Sequence, residues 1–468
     1  MGEQPTGPEC AAKALRVAIV SKADRTGGGG SLVAEQLCRL LREHGHQADH
    51  WMAWHGARRP PHARPLHGTW HARWIGHAHN ACRHLGLPDF LPLEYAVLRR
   101  HLSRYDVVHF HDISSAVSPL TLRWVARRRP TAWTLHDCSP FTGGCLYPMD
   151  CTAFHTRCGR CPRLDQWPLG GRLGFDFTNL LHDMKRTTAG EGRFATIAPS
   201  RWMAEEAMRS GMFADRPRVI PNPVDMRVFR PFEKRAVRAA LGMRPDVFWI
   251  LVSAGALADR RKGAQAAIEV IRRCQRQVAV LLVGREDSAV TARFAGTTVR
   301  ATGFLDDPQT IAQYYAAADV LLFPTLADNL PCTILESMAA GTPTLGFRTG
   351  GVPEMVEHDG NGWLAASGDV AGLVTGLQRA CDDRYTLRRW AAAGVRMARE
   401  GYAPAHFVDR HVQLYRRQIA VHEVACLSGA RGRAHSPRLD LGCEAAAQAR
   451  RAEGDERQPD GNIDRHAA

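Results

Sequence analysis

Short apolar runs separated by amphipathic segments recur along the chain at a spacing that alternates strand with helix. "LRVAIVS" (15–21) is a run bounded by a glycine-rich loop, the pattern of a strand buried on both faces of a parallel sheet. "SLVAEQLCRLLREHGH" follows, with Leu32, Leu37, Leu40 and Leu41 at helical spacing and Gly45 as its stop. "DVVHFHD" (106–112), "PTAWTLHD" (130–137) and "RFATIAPS" (193–200) continue the strand series. After "RVIPNPVD" (218–225) the cycle restarts with "FWILVSAGA" (248–256), "QVAVLLVG" (277–284), "TTVRATGF" (297–304), "ADVLLFPT" (318–325) and "TPTLGF" (342–347). Two successive α/β doubly wound units are predicted. Their bounds are 15–200, with a Cys-rich insert at 138–161, and 226–402, joined by a linker at 201–225. A last helix is expected over 403–425, with Phe407, Val408, Val412, Leu414 and Tyr415 as its apolar face. Residues 1–14 and 426–468 hold too little apolar material to bury and are expected to be disordered.

The length of 468 residues is too great for one ordinary core, which fits two domains. No apolar run reaches the ~20 residues of a spanning helix, and the N-terminus lacks the features of a secretory signal, so a cytoplasmic address is expected. Thirteen cysteines then argue for thiols or a metal site rather than disulfides. The net charge of +14 is uneven: residues 1–200 carry 25 Lys+Arg against 16 Asp+Glu, a net +9. A basic first half suits phosphates, an anionic membrane or nucleic acid. Against nucleic acid, the charge is diffuse and no helix-turn-helix or zinc-finger spacing is present.

The stretch "DNLPCTILESMAAGTPTLGFRTGGVPEMV" (328–356) places Asp328 before a helix and Glu336 inside it. Asp328 or Asn329 is expected to cap this helix, Pro331 to occupy its first turn, and Ile334, Leu335, Met338 and Ala339 to form its buried stripe. The helix start falls at the carboxyl end of a strand, where open α/β sheets bind ligands and free N–H groups suit phosphate. Glu336 lies about 7.5 Å further along the axis, roughly the reach from a nucleotide's diphosphate to its ribose.

These residues resemble the family 4 glycosyltransferases of the GT-B fold, in the branch that builds bacterial exopolysaccharides of the colanic-acid type. The resemblance spans about 15–425 and implies two Rossmann-like domains facing a cleft. It implies a retaining transfer from a nucleotide-diphosphate sugar (UDP or GDP) to a glycan or polyprenyl-diphosphate-linked acceptor, at the inner face of the plasma membrane. The family's usual acid pair is Glu-x7-Glu; here the first member is Asp328. In "SAGALADRRKGAQAAIE" (253–269), Lys262 matches the family's diphosphate lysine, Ala256 stands where an Arg is usual, and Arg261 is the expected substitute. By the same resemblance Asn329, Leu330 and Glu336 contact the donor, with Glu336 on its ribose, and Asp328 helps position the sugar. Gly28 and Gly29 of "TGGGGSLVAEQL" bring backbone to an anionic group. His136 of "TLHDCSPFTGGC" sits beside the transferred sugar with Asp137 as an orienting partner; His109, His111 and Asn222 line the cleft. No Asp-x-Asp occurs in the chain, which fits a donor site that needs no metal or other cofactor.

Cys145, Cys151, Cys158 and Cys161 lie within 17 residues, the last two at knuckle spacing, and form a candidate structural zinc set; free thiols are the alternative. The Trp-, His- and Arg-rich segment 51–80 is expected to be a surface loop, or else a contact for membrane or a lipid-diphosphate. Two rival functions remain open on sequence: a sugar-nucleotide epimerase of the same architecture, and a basic Cys-rich nucleic-acid-binding protein.

Overall fold

The computed structural model describes residues 13–56, 61–68, 72–169, 174–254, 259–284, 291–294, 296–305 and 307–431. Ala256 and most of the two expected disordered ends lie outside these residues. Contacts divide the chain after Ala420, and both sheets belong to the first unit.

Seven parallel strands form the first sheet: β1 (Arg16–Ala23), β2 (Gln47–Trp54), β3 (Ala63–Pro65), β4 (Val107–Phe110), β5 (Thr131–Thr134), β6 (Ala195–Ala198) and β7 (Arg218–Val219). Their spatial order is β3-β2-β1-β4-β5-β6-β7. Six more form the second: β8 (Phe248–Ala254), β9 (Val278–Gly284), β10 (Thr298–Ala301), β11 (Val320–Phe323), β12 (Thr344–Phe347) and β13 (Gly362–Ala365), in the order β10-β9-β8-β11-β12-β13, again all parallel. The two Rossmann-like sheets are as expected. Continuous apolar runs make the strands because helices cover both faces: Val17 and Ile19 face one core, Ala18 and Val20 another.

The sequence reading missed β2. "QADHWMAW" mixes His and Asp into the strand and so lacks an apolar run, yet His50, Trp51 and Met52 are buried beside β1. Trp51 donates to the Tyr105 hydroxyl at 3.0 Å. The described residues of segment 51–80 therefore supply the end of β2, all of β3 and part of a helix (Ala72–His84), not only the expected surface loop. The last helix runs Pro404–Arg431, six residues into the segment expected to be disordered. Its Phe407, Val408, Val412, Leu414 and Tyr415 pack against Val17, Ile19 and Leu37 of the first sheet's layer. The chain thus returns from the second sheet to the first.

Both strand orders reverse direction once, between β1 and β4 and between β8 and β11. At such switch points the loops leaving adjacent strands diverge and open a crevice at the carboxyl edge. The segments that follow these four strands carry Gly28–Gly30, His111–Asp112, Arg260–Lys262 and Asp328–Leu330.

Candidate functional site

Lys262 and Asp328 meet at the second switch point. Asp259 caps a single turn, Arg260–Lys262, by accepting from Arg261 N–H. Gly263 then takes φ +74°, and a Cβ there would lie 1.9 Å from the Pro324 carbonyl oxygen, so only glycine lets this turn press against the loop after β11. The result is a Lys262 Nζ–Asp328 Oδ2 pair at 2.7 Å, with Arg261 Nη1 at 3.5 Å from the same oxygen. Arg261 also donates to the Ala327 carbonyl at 2.7 Å and lies 4.8 Å from the Tyr147 ring centre, a cation–π contact. Burial alone would raise the Asp328 carboxyl; Lys262 and Arg261 outweigh it and hold the group below the usual carboxylate range.

The helix that follows is Cys332–Ala339, with Pro331 as its N-cap and no side-chain cap. This corrects the expectation for Asp328 and Asn329, because both side chains have other partners. Asn329 Nδ2 donates to the Leu135 and His136 carbonyls at 3.2 and 3.0 Å, and its Oδ1 accepts from Ser200 at 2.5 Å. It ties the acid loop to the first domain rather than standing open to a donor. Leu330 is buried in the second domain's core, and its carbonyl accepts from Asn222 at 2.9 Å. Asn222 is therefore a buried interdomain strut and not a cleft-lining group.

Glu336 faces the gap between the domains. It lines a cavity of about 360 Å³ with Arg25, Leu32 and Gln36 on one side and Phe304, Leu305 and Ile311 on the other. Burial pushes its carboxyl up to about 8, offset in part by a hydrogen bond with Tyr315.

At the first switch point the close approach falls at Gly30, not at Gly28 or Gly29. A Cβ on Gly30 would lie 2.9 Å from Asp112 Cβ and 3.1 Å from His136 Cγ, while nothing lies within 4 Å at the other two; Gly28 instead supplies the φ of +105° that starts the helix Gly29–Glu43. His136 is half-buried, and its Nε2 is 2.9 Å from His111 Nδ1. Asp137 does not orient it: that carboxylate accepts from Ser139 N–H at 2.8 Å, and burial raises it to about 6. His109 and His111 are 0% and 1% exposed, so neither lines the cleft; both lie beneath His136. Three residues absent from the sequence reading complete this corner. Asp112 pairs with Lys22 at 2.9 Å and accepts from Ser31 at 3.0 Å. Their signal was only the proximity of "HFHD" and the glycine loop to strand ends.

Cys145, Cys151, Cys158 and Cys161 all line one small cavity, and Gly143 N–H donates to Cys158 Sγ at 3.2 Å. Among the described residues, however, no group of three or more His, Cys, Asp or Glu side chains is arranged to hold a metal ion. The expected zinc set is not assembled, and no disulfide joins the four cysteines. Burial pushes the Cys145 and Cys158 thiols up to about 12 and about 11. The insert they belong to has another consequence. With Trp202 and Arg209 it forms one wall of a cavity of about 630 Å³, whose opposite wall is Leu326, Ala327 and Gly350. Tyr147 and Trp202 stack there at 6.4 Å with 15° between planes. The cavity wall at Ala327 adjoins Asp328, which pairs with Lys262.

Residues 27–228 match the family described as Glycosyltransferase Family 4, and residues 249–383 that described as Glycosyl transferases group 1. D-inositol 3-phosphate glycosyltransferase of Nocardia farcinica is 30% identical over 231 residues, covering 45% of this chain and 51% of the relative. Amylovoran biosynthesis glycosyltransferase AmsK of Erwinia amylovora is 30% identical over 134 residues, covering 25% of this chain and 33% of the relative. The chain spans about half the length of the curated relatives it matches first. The crystal structure of Anabaena Alr3699/HepE in complex with UDP and glucose superposes with a TM-score of 0.61 at 18% identity, covering 85% of this chain and 98% of that one. The two parallel-sheet domains are the GT-B fold.

Proposed function

For a chain that carries a Glycosyltransferase Family 4 domain followed by a group 1 domain, we propose that it transfers a sugar, with retention of configuration, from a nucleotide-diphosphate sugar to a glycan acceptor. The observation that carries the reading is the Lys262–Asp328 pair, set beside the start of the helix Cys332–Ala339, with Glu336 facing a cavity further along the same helix. Breaking a sugar–phosphate bond leaves negative charge on the departing diphosphate. Lys262, Arg261 and the free N–H groups of that helix are fixed positive groups that stabilise this charge without reorganising. The nucleoside occupies the cavity between Arg25 and Phe304, and Glu336 accepts hydrogen bonds from the ribose hydroxyls. Asp328 and His136 stand beside the sugar.

UDP is the favoured nucleotide, in line with the ligand named for the Anabaena structure. The acceptor enters the 630 Å³ space, where the Tyr147–Trp202 pair offers flat apolar faces to sugar rings. An exopolysaccharide role is supported by the amylovoran relative. The net +9 over residues 1–200 favours peripheral contact with an anionic membrane and a lipid-diphosphate-linked acceptor on its cytoplasmic side. Among the described residues no helix is long and apolar enough to cross a membrane.

A thermal-shift screen of UDP- and GDP-sugars tests the reading. One nucleotide sugar should stabilise the protein. Lys262→Ala and Glu336→Ala should each weaken it about 10–100-fold, the range for losing a hydrogen bond to a charged group. No stabilisation by any nucleotide sugar would overturn the donor site; release of free nucleotide with no acceptor present would favour an epimerase.

A further inference from the structure

Three histidines form a hydrogen-bonded row from the cleft to the last helix. His136 Nε2 is 2.9 Å from His111 Nδ1, and His111 Nε2 is 3.3 Å from His109 Nδ1. His109 Nδ1 is 2.7 Å from the Tyr415 hydroxyl, and His109 Nε2 is 2.8 Å from Thr134 Oγ1. The rings lie 5.2 and 4.1 Å apart, centre to centre. His109, His111 and Tyr415 are sealed from solvent. Burial keeps the imidazoles in their neutral form. The neighbouring groups are His411, 5.5 Å from His109, Cys38 beside Tyr415, and the Asp112–Lys22 pair beside His136.

A neutral imidazole carries one proton on two nitrogens, so each ring must donate at one end and accept at the other. The protonation state along the row is then set by any end that cannot switch. Thr134 can donate or accept and sets nothing. Tyr415 differs. A buried phenol must place its proton on an acceptor, and its hydrogen-bond partner among the described residues is His109 Nδ1. That nitrogen is therefore bare, and His109 carries its proton on Nε2, directed at Thr134. His111 Nε2 faces the same bare nitrogen. Two lone pairs would repel there, so His111 holds its proton on Nε2, sharing at the longer 3.3 Å the one lone pair that Tyr415 occupies at 2.7 Å, and leaves Nδ1 to accept. His136 must then donate from Nε2, which leaves its Nδ1 unprotonated.

We propose that Tyr415 is a positioning residue for His136: acting through His109 and His111, it holds His136 as the Nε2–H tautomer, with Nδ1 as a hydrogen-bond acceptor. This rests on the reading of His136 as the residue beside the transferred sugar. It names the chemistry Nδ1 recognises there, a hydroxyl that donates. A sugar bearing an O-methyl or deoxy group at that position loses this contact.

Histidine-selective ¹⁵N NMR of the full chain tests the assignment without any substrate. The three rings are identified by signals lost in His136→Gln, His111→Gln and His109→Gln. In the unmutated protein all three should be protonated on Nε2. In Tyr415→Phe, which removes only the hydroxyl, the His136 signals should move toward a mixture of both tautomers, with circular dichroism confirming that the fold persists. A proton on His136 Nδ1 in the unmutated protein overturns the proposal, as does a Tyr415→Phe spectrum unchanged at His136. Because no donor is present, failure of the nucleotide-sugar screen would remove the transferase reading while leaving this tautomer result standing.

Discussion

At the residue scale, Glu336 carries the clearest pH signature. Its carboxyl is raised from 4.5 to about 8 by burial. Between those values the folded chain binds a proton that the unfolded chain has released, so stability falls as pH rises through that window. Glu336→Gln abolishes the term. Its thermal midpoint should equal that of the unmutated protein near pH 4 and exceed it at pH 8.5, on the order of 2–4 °C for each kcal/mol relieved. A midpoint at pH 8.5 below that of the unmutated protein would contradict this environment. For the donor the direction is opposite. A ribose diol donates to a carboxylate better than to a carboxylic acid, so affinity for a nucleotide sugar should rise from pH 6.5 to 8.5 and lose that dependence in Glu336→Gln. Asp328 and Glu336 stood out in the sequence because a strand end and a helix start fix their spacing, and Lys262 by resemblance to a family; the structure pairs Lys262 with Asp328. The roles of Asn329, Asn222 and Asp137 were not legible. A side chain's partner on another element leaves no trace in local spacing, and Asn329 and Asn222 are engaged by such partners; Asp137 instead turns back to Ser139 N–H two residues on.

At the scale of elements, the turn Arg260–Lys262 and the loop after β11 depend on one another. Gly263→Ala would combine a strained φ of +74° with a contact of 1.9 Å to Pro324 O. It should cost about 1–3 kcal/mol in urea denaturation and displace Lys262, weakening donor binding more than stability alone explains. Equal donor affinity in this variant would show that Lys262 is positioned some other way. Asn329 acts between elements. Asn329→Ala removes its bonds to Leu135, His136 and Ser200 while leaving the Lys262–Asp328 pair in place. The expected outcome is a modest loss of stability, about 1–3 kcal/mol for the buried partners left unsatisfied, with donor binding retained and transfer rate reduced. Most strands with continuous apolar runs were read, β13 (Gly362–Ala365) excepted. The reading also failed at β2, where His50 is buried against Ser21, at 2.7 Å from its hydroxyl. A polar residue satisfied inside a sheet mimics a loop in the sequence.

At the scale of the whole molecule, buried histidines set the acid limit. Burial lowers His50, His136 and His411 to about 4 and holds His109 and His111 below their ordinary value of 6.5. Between about pH 6.5 and 4 the unfolded chain binds protons that the folded chain refuses, so stability is lost as pH falls. Asp89 and Asp137, raised from 3.8 to about 6, and Glu336, raised from 4.5 to about 8, oppose this over their own windows, but three carboxyls do not offset five imidazoles. With Glu336 lowering stability on the alkaline side, thermal denaturation should show a maximum at about pH 6–7. A midpoint unchanged from pH 7 to 4.5 would refute this account. Four of these five histidines, His109, His111, His136 and His411, lie where the last helix meets the first sheet, so that junction should loosen first in acid; hydrogen exchange of β4 would report it.

The sequence by itself determined the alternation of strand and helix, two successive α/β domains, and the acid-bearing helix that marks the second switch point. These follow from local rules: apolar periodicity, glycine and proline punctuation, and the fixed rise of a helix; the GT-B arrangement and Lys262 were implied only by resemblance to a family. Tertiary structure alone decided which polar groups are partners. It drew Asn329 across to Ser200, sank His109 and His111 beneath His136, joined His109 to Tyr415 some 300 residues away, and stopped four cysteines short of a metal site. The reason is that a buried polar group must find its complement wherever the fold brings one within about 3 Å. That constraint acts through space and leaves the order of residues along the chain unmarked.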